Sequence, residues 1–389
     1  MAVTAVAVGR RRAASLFVLG TFLFWASVYT YVPILPAYVE RVSGSLQVVA
    51  WVIGAYGFTQ LVLRVPLGVW SDRAGARKPF VLAGLVTAVV SGLGLALAQA
   101  PGSLVIFRGL AGVAAATWAV FTVLFSDYFT PADPRRAMTI MQVAAGVGQI
   151  AAALLGGWLA ASWGWTAPFY AGALLAVLGL ACVAAAPEPA GRTPARRSAG
   201  AASVARIARV RVVAGASIIA ALAQCGFWAT VNGFTPIYAV RLGASAGVLG
   251  VLAMVALVPY TAAPILGDTA LFRRFRAGDV VAAGCLLVAV ATAAVPFIGS
   301  IAGLMLAQVV GGVGRGIMFP ILMTSALGAV GPQERGTAMG LFQATYALGM
   351  TGGPWLAAWL VGPLGLEGVF LTMAILTALG IAVALALLD

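Results

Sequence analysis

Phe24-Trp25-Ala26-Ser27-Val28, followed by Pro33-Ile34, returns about two hundred residues later as Phe227-Trp228-Ala229-Thr230-Val231, followed by Pro236-Ile237. Further along, Ala137-Met138-x-Ile140-Met141-Gln142 is matched by Ala338-Met339-x-Leu341-Phe342-Gln343. Gly148, Trp158 and Leu159 then fall on Gly349, Trp359 and Leu360 at one constant offset. The repeated segments are strongly apolar, so this is a membrane chain built of two parallel halves. Such chains form paired bundles that face each other across a pathway, which points to transport.

Composition excludes most other classes. Of 389 residues, 62% are hydrophobic and 8% charged, and the mean hydropathy is +1.04. A soluble domain of this composition would have nothing to present to water. Apolar runs of about twenty residues, the length that crosses a bilayer, recur along the chain. They predict an all-α membrane protein with twelve spans, near 15–40, 46–70, 79–99, 102–126, 135–161, 166–186, 210–240, 245–267, 278–298, 301–328, 334–361 and 366–388. Cys182, Cys225 and Cys285 sit inside these runs and read as small core residues. The chain has no His, which removes histidine proton relays, His-ligated metal sites and Ser-His hydrolysis. No cofactor or metal is expected, and neither is enzymatic activity.

The net charge of +13 would suit nucleic acid if it were clustered, but its distribution reads differently. Eighteen of the 23 Lys and Arg fall in segments that alternate to one side of the predicted spans. Arg41 and Arg241 fall on the other side, and Arg64, Arg108 and Arg315 within spans. This is the positive-inside pattern, which places both termini in the cytoplasm. Arg10-Arg11-Arg12 precede an apolar run with no small-residue cleavage site, so the first span reads as uncleaved. Residues 187–209 are polar, Pro-containing and Arg-rich, and read as a cytoplasmic linker suited to lipid headgroups. The expected organisation is a six-helix bundle over 1–186, the linker over 187–209 and a second six-helix bundle over 210–389. Glycines on the fifth span (Gly146, Gly148, Gly156, Gly157) and the eleventh (Gly349, Gly352, Gly353) suit either close static packing or a smooth seam for rocking. Prolines 33, 236, 259, 320 and 354 fall inside spans and permit kinks.

Between spans two and three stands Gly68-Val69-Trp70-Ser71-Asp72-Arg73-Ala74-Gly75-Ala76-Arg77-Lys78. It resembles the signature loop of the major facilitator superfamily, roughly G-x-x-x-D-R-x-G-R-[KR], with Ala76 departing from the pattern. Arg108-Gly109-Leu110-Ala111-Gly112 is similar to the family's R-x-x-x-G motif, whose Arg is linked to proton transfer in proton-coupled members. The antiporter motif of the fifth span is only partial, with Ala152-Ala153 where Gly-Pro would stand. The resemblance covers the whole chain and implies two six-helix bundles related by a pseudo-two-fold axis. It also implies alternating access, with a cytoplasmic latch formed by Gly68, Asp72, Arg73, Arg77 and Asp127. On physical grounds Asp72 suits the positive N-terminus of the eleventh span near Arg335-Gly336, and Arg73 or Arg77 suits Asp127. The second half keeps a worn copy, Gly267-Asp268 followed by Arg273-Arg274.

No acid falls near mid-span, so the embedded arginines lack a carboxylate partner. Each costs about 2.5–3.5 kcal/mol at a helix centre. Arg315, within Gly311-Gly312-Val313-Gly314-Arg315-Gly316, is the deepest. An anionic substrate would supply the countercharge; helix carbonyls or aromatic faces are the other available partners. A coupling proton would have to titrate at Glu40, Asp127 or Asp268, or on the substrate. In this family the pathway is lined by spans one, four, seven and ten, with two, five, eight and eleven beside them. Candidate lining residues are Trp25, Tyr29, Trp118, Gln142, Trp228, Asn232, Tyr260, Phe319, Gln343 and Tyr346, with Arg64, Arg108 and Arg315. The leading expectation is a monomeric secondary transporter of the cytoplasmic (inner) membrane, moving a small organic solute, with the arginines favouring an organic anion. Export of neutral or amphipathic drugs, or a transport-inactive membrane sensor, are the alternatives.

Two outcomes are expected from sequence alone. A cysteine placed at residue 197 should be labelled by an impermeant reagent only after cells are opened; labelling from outside intact cells would reverse the topology. Asp72→Asn should reduce transport and shift cytoplasmic accessibility. A charge at a helix N-terminus contributes roughly 0.3–1 kcal/mol, enough to bias two nearly balanced states.

Overall fold

The computed structural model describes residues 2–74, 76–126, 128, 134–187, 201–267, 275–331 and 334–388; side chains at 2–11, 72, 126, 134–138, 201–203 and 264–267 lie outside the description. Among the described residues the regular structure is entirely helical. In chain order it comprises α1 (Ala2–Tyr29), α2 (Leu35–Ser43), α3 (Leu46–Ala74), α4 (Lys78–Leu97) and α5 (Pro101–Ala116). Next come α6 (Trp118–Ser126), α7 (Pro134–Trp163), α8 (Ala167–Ala185), α9 (Ala201–Ala208) and α10 (Arg211–Ala229). A π-helical turn (Thr230–Phe234) leads into α11 (Thr235–Arg241), α12 (Ala246–Gly267), α13 (Ala277–Ala294), α14 (Ile301–Gly328) and α15 (Arg335–Leu387).

Eleven helical stretches among the described residues are long and apolar enough to cross a membrane, one fewer than the twelve expected. The difference lies in α15. Its 53 residues would extend about 80 Å if straight, against about 30 Å of hydrocarbon. Gly365 breaks it, with φ 67° and ψ −175°, a conformation open to glycine and strained for side-chain-bearing residues. The break falls in the gap expected between the last two spans, so α15 supplies both of them.

The helices start and stop where local chemistry permits. Prolines occupy the first turns of α4, α5, α8 and α11, where a missing N–H costs nothing. Ser300 caps α14 by accepting from the Gly303 N–H at 3.2 Å. Hydroxyls inside helices bond backward to their own turn: Thr21 to Phe17 O at 2.9 Å, Thr30 to Ala26 O at 2.6 Å and Thr377 to Met373 O at 2.9 Å. In lipid this keeps a polar side chain satisfied without a partner helix.

The chain forms two compact units. The first comprises Met1–Leu35 and Thr59–Arg196, the second Pro36–Phe58 and Arg197–Asp389. In the first unit α1 packs on α7 and α8 around Phe17, Phe24, Phe121 and Phe125; the Phe24 and Phe121 rings lie 4.9 Å apart. In the second unit α10 packs on α15 and α14, and α13 packs on the same two helices, around Ile219, Val281, Met318 and Phe342. Residues 36–58 join the second unit through aromatic contacts, with Tyr56 stacked on Trp228 at 5.0 Å and Trp51 beside Trp355 at 5.3 Å.

Glycines mediate the closest helix approaches. A Cβ at Gly156 would overlap the Thr30 carbonyl, and one at Gly148 would sit 2.7 Å from Phe22 O. Gly349 and Gly353 of α15 meet the Ala221 and Cys225 carbonyls of α10 in the same way. Of the two roles open to the span glycines, these four perform packing inside a unit. Gly352 faces open space.

Basic side chains close the helix ends. Lys78 donates to Ala184 O and Ala186 O, both at 2.7 Å, which answers the orphan carbonyls at the end of α8. The Tyr128 hydroxyl donates to Pro187 O at 2.7 Å. Arg211 donates to Ala386 O at the end of α15. Arg206 of α9 pairs with Glu334, which holds that carboxyl below the usual carboxylate range, mainly through the hydrogen bond. The sign follows: the pair stabilises the fold above the unfolded carboxyl pKa, and its contribution is lost as pH falls through the depressed folded value. Lys78→Met should lower thermal stability by about 1–2 kcal/mol, because two charge-assisted bonds are lost at a partly exposed site. Lys78→Arg should keep most of that stability; identical melting curves for all three proteins would remove the capping role.

Candidate substrate-binding site

Arg315 lies midway along α14 and is 7% exposed. A helical side chain points back toward the N-terminus, and here it reaches the turn of Gly311, where a Cβ would stand 3.5 Å from Nη1. The guanidinium lies 4.6 Å from the centre of the Phe227 ring of α10. A desolvated cation–π contact is worth about 2 kcal/mol, short of the roughly 2.5–3.5 kcal/mol that a mid-helix charge costs in the membrane. The ion pairs seen among the described residues, Arg206–Glu334 and Arg241–Glu40, do not include it. Phe227 therefore lessens the cost of the charge without cancelling it.

The other wall comes from the π-helical turn, which follows the Phe227-Trp228 repeat and precedes Pro236. Such turns interrupt the α-helical bond pattern and cluster at functional sites. Thr230 donates to Gly226 O at 2.7 Å. A small cavity here is lined by Thr230, Thr235, Thr292, Gln308, Gly311 and Arg315, among others, and has about 10 Å3 of space, room for one water. Two buried polar atoms on its lining residues, Gln308 Oε1 and Thr235 Oγ1, have no hydrogen-bond partner. Nearby in sequence, Asn232 Nδ2 is also buried without an acceptor.

The remaining candidates fall into separate groups. In the second unit, Phe319, Phe342 and Tyr346 form an edge-to-face triplet with centroids 5.8–5.9 Å apart. Trp228 is buried against Tyr56 and Gln343 is half-buried, while Tyr260 lies within electrostatic reach of both Arg315 and Tyr346. In the first unit, Trp25 meets Trp118 edge-on at 5.2 Å and Tyr29 at 6.0 Å, with its indole N–H buried and lacking an acceptor. Gln142 is exposed. Arg108 is 1% exposed and sits 5.8 Å from the Tyr31 ring, which stacks on Phe169. Arg64 donates to Gln60 Oε1 at 2.7 Å. Of the three span arginines, Arg315 is the one that lines this cavity.

Of the latch residues, Arg73 is exposed in the last turn of α3, Arg77 leads into α4 and Gly68 has free space around it. The Asp72 side chain, Asp127, Asp268, Arg273, Arg274 and linker residues 188–200 lie outside the described residues. Sequence reasoning missed Gln308, Thr235, Thr230 and Thr292. One signal was available: Gln308, Gly311 and Arg315 recur at helical spacing and share one face. The threonines gave none, because a hydroxyl in an apolar helix ordinarily bonds its own turn.

An all-helical body of apolar spans, with a buried cation beside a polar cavity, defines a multi-pass membrane protein of the transporter class. The profile described as Major Facilitator Superfamily matches residues 17–268 and 216–389, and the chain belongs to that family. It is 32% identical over 176 residues to the inner membrane transport protein YajR of Escherichia coli (strain K12), an alignment spanning 44% of this chain and 38% of YajR. It is 32% identical over 102 residues to the efflux pump azaK of Aspergillus niger, spanning 26% of this chain and 22% of azaK. The matched regions thus cover less than half of either relative. The crystal structure of the nucleoside transporter NupG superimposes with a TM-score of 0.80 at 15% identity, over 97% of this chain and 100% of that one. At that identity the likeness extends to the fold alone.

Proposed function

We propose that this protein is a secondary transporter that carries a small organic anion across the cytoplasmic membrane by alternating access. The observation that carries this reading is Arg315: a guanidinium buried in mid-helix, bordered by the Phe227 ring and a polar cavity, with no acid paired to it among the described residues. A carboxylate, sulfonate or phosphate would complete the charge in a desolvated setting, where such a pair contributes more than at a surface. Each occupied or empty state then differs in the cost of burying Arg315, and that difference lets a ligand shift the balance of conformations. Membership of a transporter family and the inner-membrane name of YajR support the localisation. Coupling to protons would use a peripheral acid or the substrate itself. A monomer with cytoplasmic termini is the simplest assembly.

A second reading, export of neutral or amphipathic compounds, draws on the Phe319–Phe342–Tyr346 triplet and on the name of azaK. Ligand-dependent melting separates the two. For the anionic reading, an organic acid should stabilise the wild type far more than its neutral ester does. Arg315→Ala should abolish the acid's effect while leaving an inserted, folded protein, and Arg315→Lys should weaken it, since a planar fork becomes a point charge. Equal stabilisation by acid and ester in the wild type would reject the anion and favour the efflux reading. A fall in intrinsic stability with the acid's preference unchanged would make Arg315 a structural brace.

A further inference from the structure

The cavity beside Arg315 has a chemical shape of its own. Gln308 is 5% exposed and Thr235 1% exposed, yet Gln308 Oε1 and Thr235 Oγ1 bond to nothing. An amide oxygen only accepts, and a hydroxyl both donates and accepts. The group that enters this cavity must therefore answer the Gln308 amide and the Thr235 hydroxyl and be about the size of a water, since there is room for one. A ligand hydroxyl or ammonium meets both conditions. The charge of Arg315 on the same lining decides between them, because a second cation there would be repelled. The rest of the lining includes the apolar side chains of Val231, Ala291, Val295 and Ala307, which offer nothing to a further polar group.

The spacing ties the hydroxyl to the anion. Gln308 lies two helical turns before Arg315, and the arginine folds back over the turn of Gly311 between them. Both residues line the one small cavity, so the two groups recognised on the ligand belong to one short molecule. The π-helical turn sets the opposite wall, presenting Thr235 at the start of α11 to the α14 face.

We propose that this cavity is the hydroxyl-recognising part of the binding site and that the substrate is a short hydroxy acid. Its carboxylate pairs with Arg315, while its hydroxyl donates to Gln308 Oε1 and accepts from the Thr235 hydroxyl. The inference rests on the reading of Arg315 as an anion partner. It goes further by making selectivity depend on a neutral group at a second point. A site built around a substrate hydroxyl rejects the analogue lacking it strongly, because its own polar groups are then left unpaired.

Three probes test it on the purified, detergent-solubilised full chain, with affinities taken from the concentration dependence of melting: lactate, propionate and methyl lactate. In the wild type, lactate should bind about tenfold or more tighter than propionate, and methyl lactate should bind worst. Gln308→Leu should bring lactate and propionate to the same affinity while propionate keeps its own. Thr235→Val, nearly isosteric, should do the same in part and carries the test if Gln308→Leu does not fold. Equal binding of lactate and propionate by the wild type overturns the hydroxyl subsite and leaves the anion reading standing. Methyl lactate binding as well as lactate overturns the anion reading itself, and the inference with it. A preference for lactate that survives in both variants, or no binding of lactate at all, also overturns the inference.

Discussion

Inside a bilayer no water is available to answer a polar group, so every N–H, C=O and charge has to be answered by the protein or its ligand. That constraint shapes this molecule at each level. It makes the regular structure helical, and it turns threonine hydroxyls back on their own carbonyls, as at Thr21, Thr30 and Thr377. It also assigns work to the basic residues at the helix ends. Lys78 and Arg211 close the carbonyl ends of α8 and α15, so part of the charge bias that orients the chain also finishes its helices.

The same constraint gives the glycines their meaning. Lipid supplies no hydrophobic drive between helices, so association depends on close backbone approach. Gly156 against Thr30 in one unit and Gly353 against Cys225 in the other are contacts that no larger residue permits without displacement. They occur in the same pairing of helices, α1 with α7 and α10 with α15. The repeat visible in sequence is therefore a repeat of packing. It places Trp25 and Trp228 on the equivalent helices α1 and α10, each in a different aromatic setting.

Much of this was legible in the chain. The spans, the family and the depth of Arg315 follow from apolar runs, one loop motif and the position of a charge. The break at Gly365 falls where a turn between the last spans was expected, although the helix on each side runs up to it. The polar cavity was not legible. Thr230, Thr235 and Thr292 look like any hydroxyl in an apolar helix, and only three-dimensional packing shows which lacks a partner. Gln308 carried the better signal, but a single amide two turns from a charge acquires meaning only once the opposite wall is known. The π-helical turn that builds this wall has no simple sequence mark beyond the proline that follows it.

Arg108 and Arg315 show why burial of a charge does not by itself define a ligand site. Both are nearly inaccessible and both lie near an aromatic ring. Arg108 sits beside Tyr31, itself stacked on Phe169, and these aromatic faces suit a brace within the first unit. Arg315 lies against Phe227, within electrostatic reach of Tyr260, and lines a space bordered by an amide oxygen and a hydroxyl without partners. Such groups are costly in a fold unless a water or a ligand completes them. The difference between the two arginines is therefore one of surroundings, and in the surroundings of Arg315 the unfilled requirement is for a negative charge and a hydrogen-bond donor together.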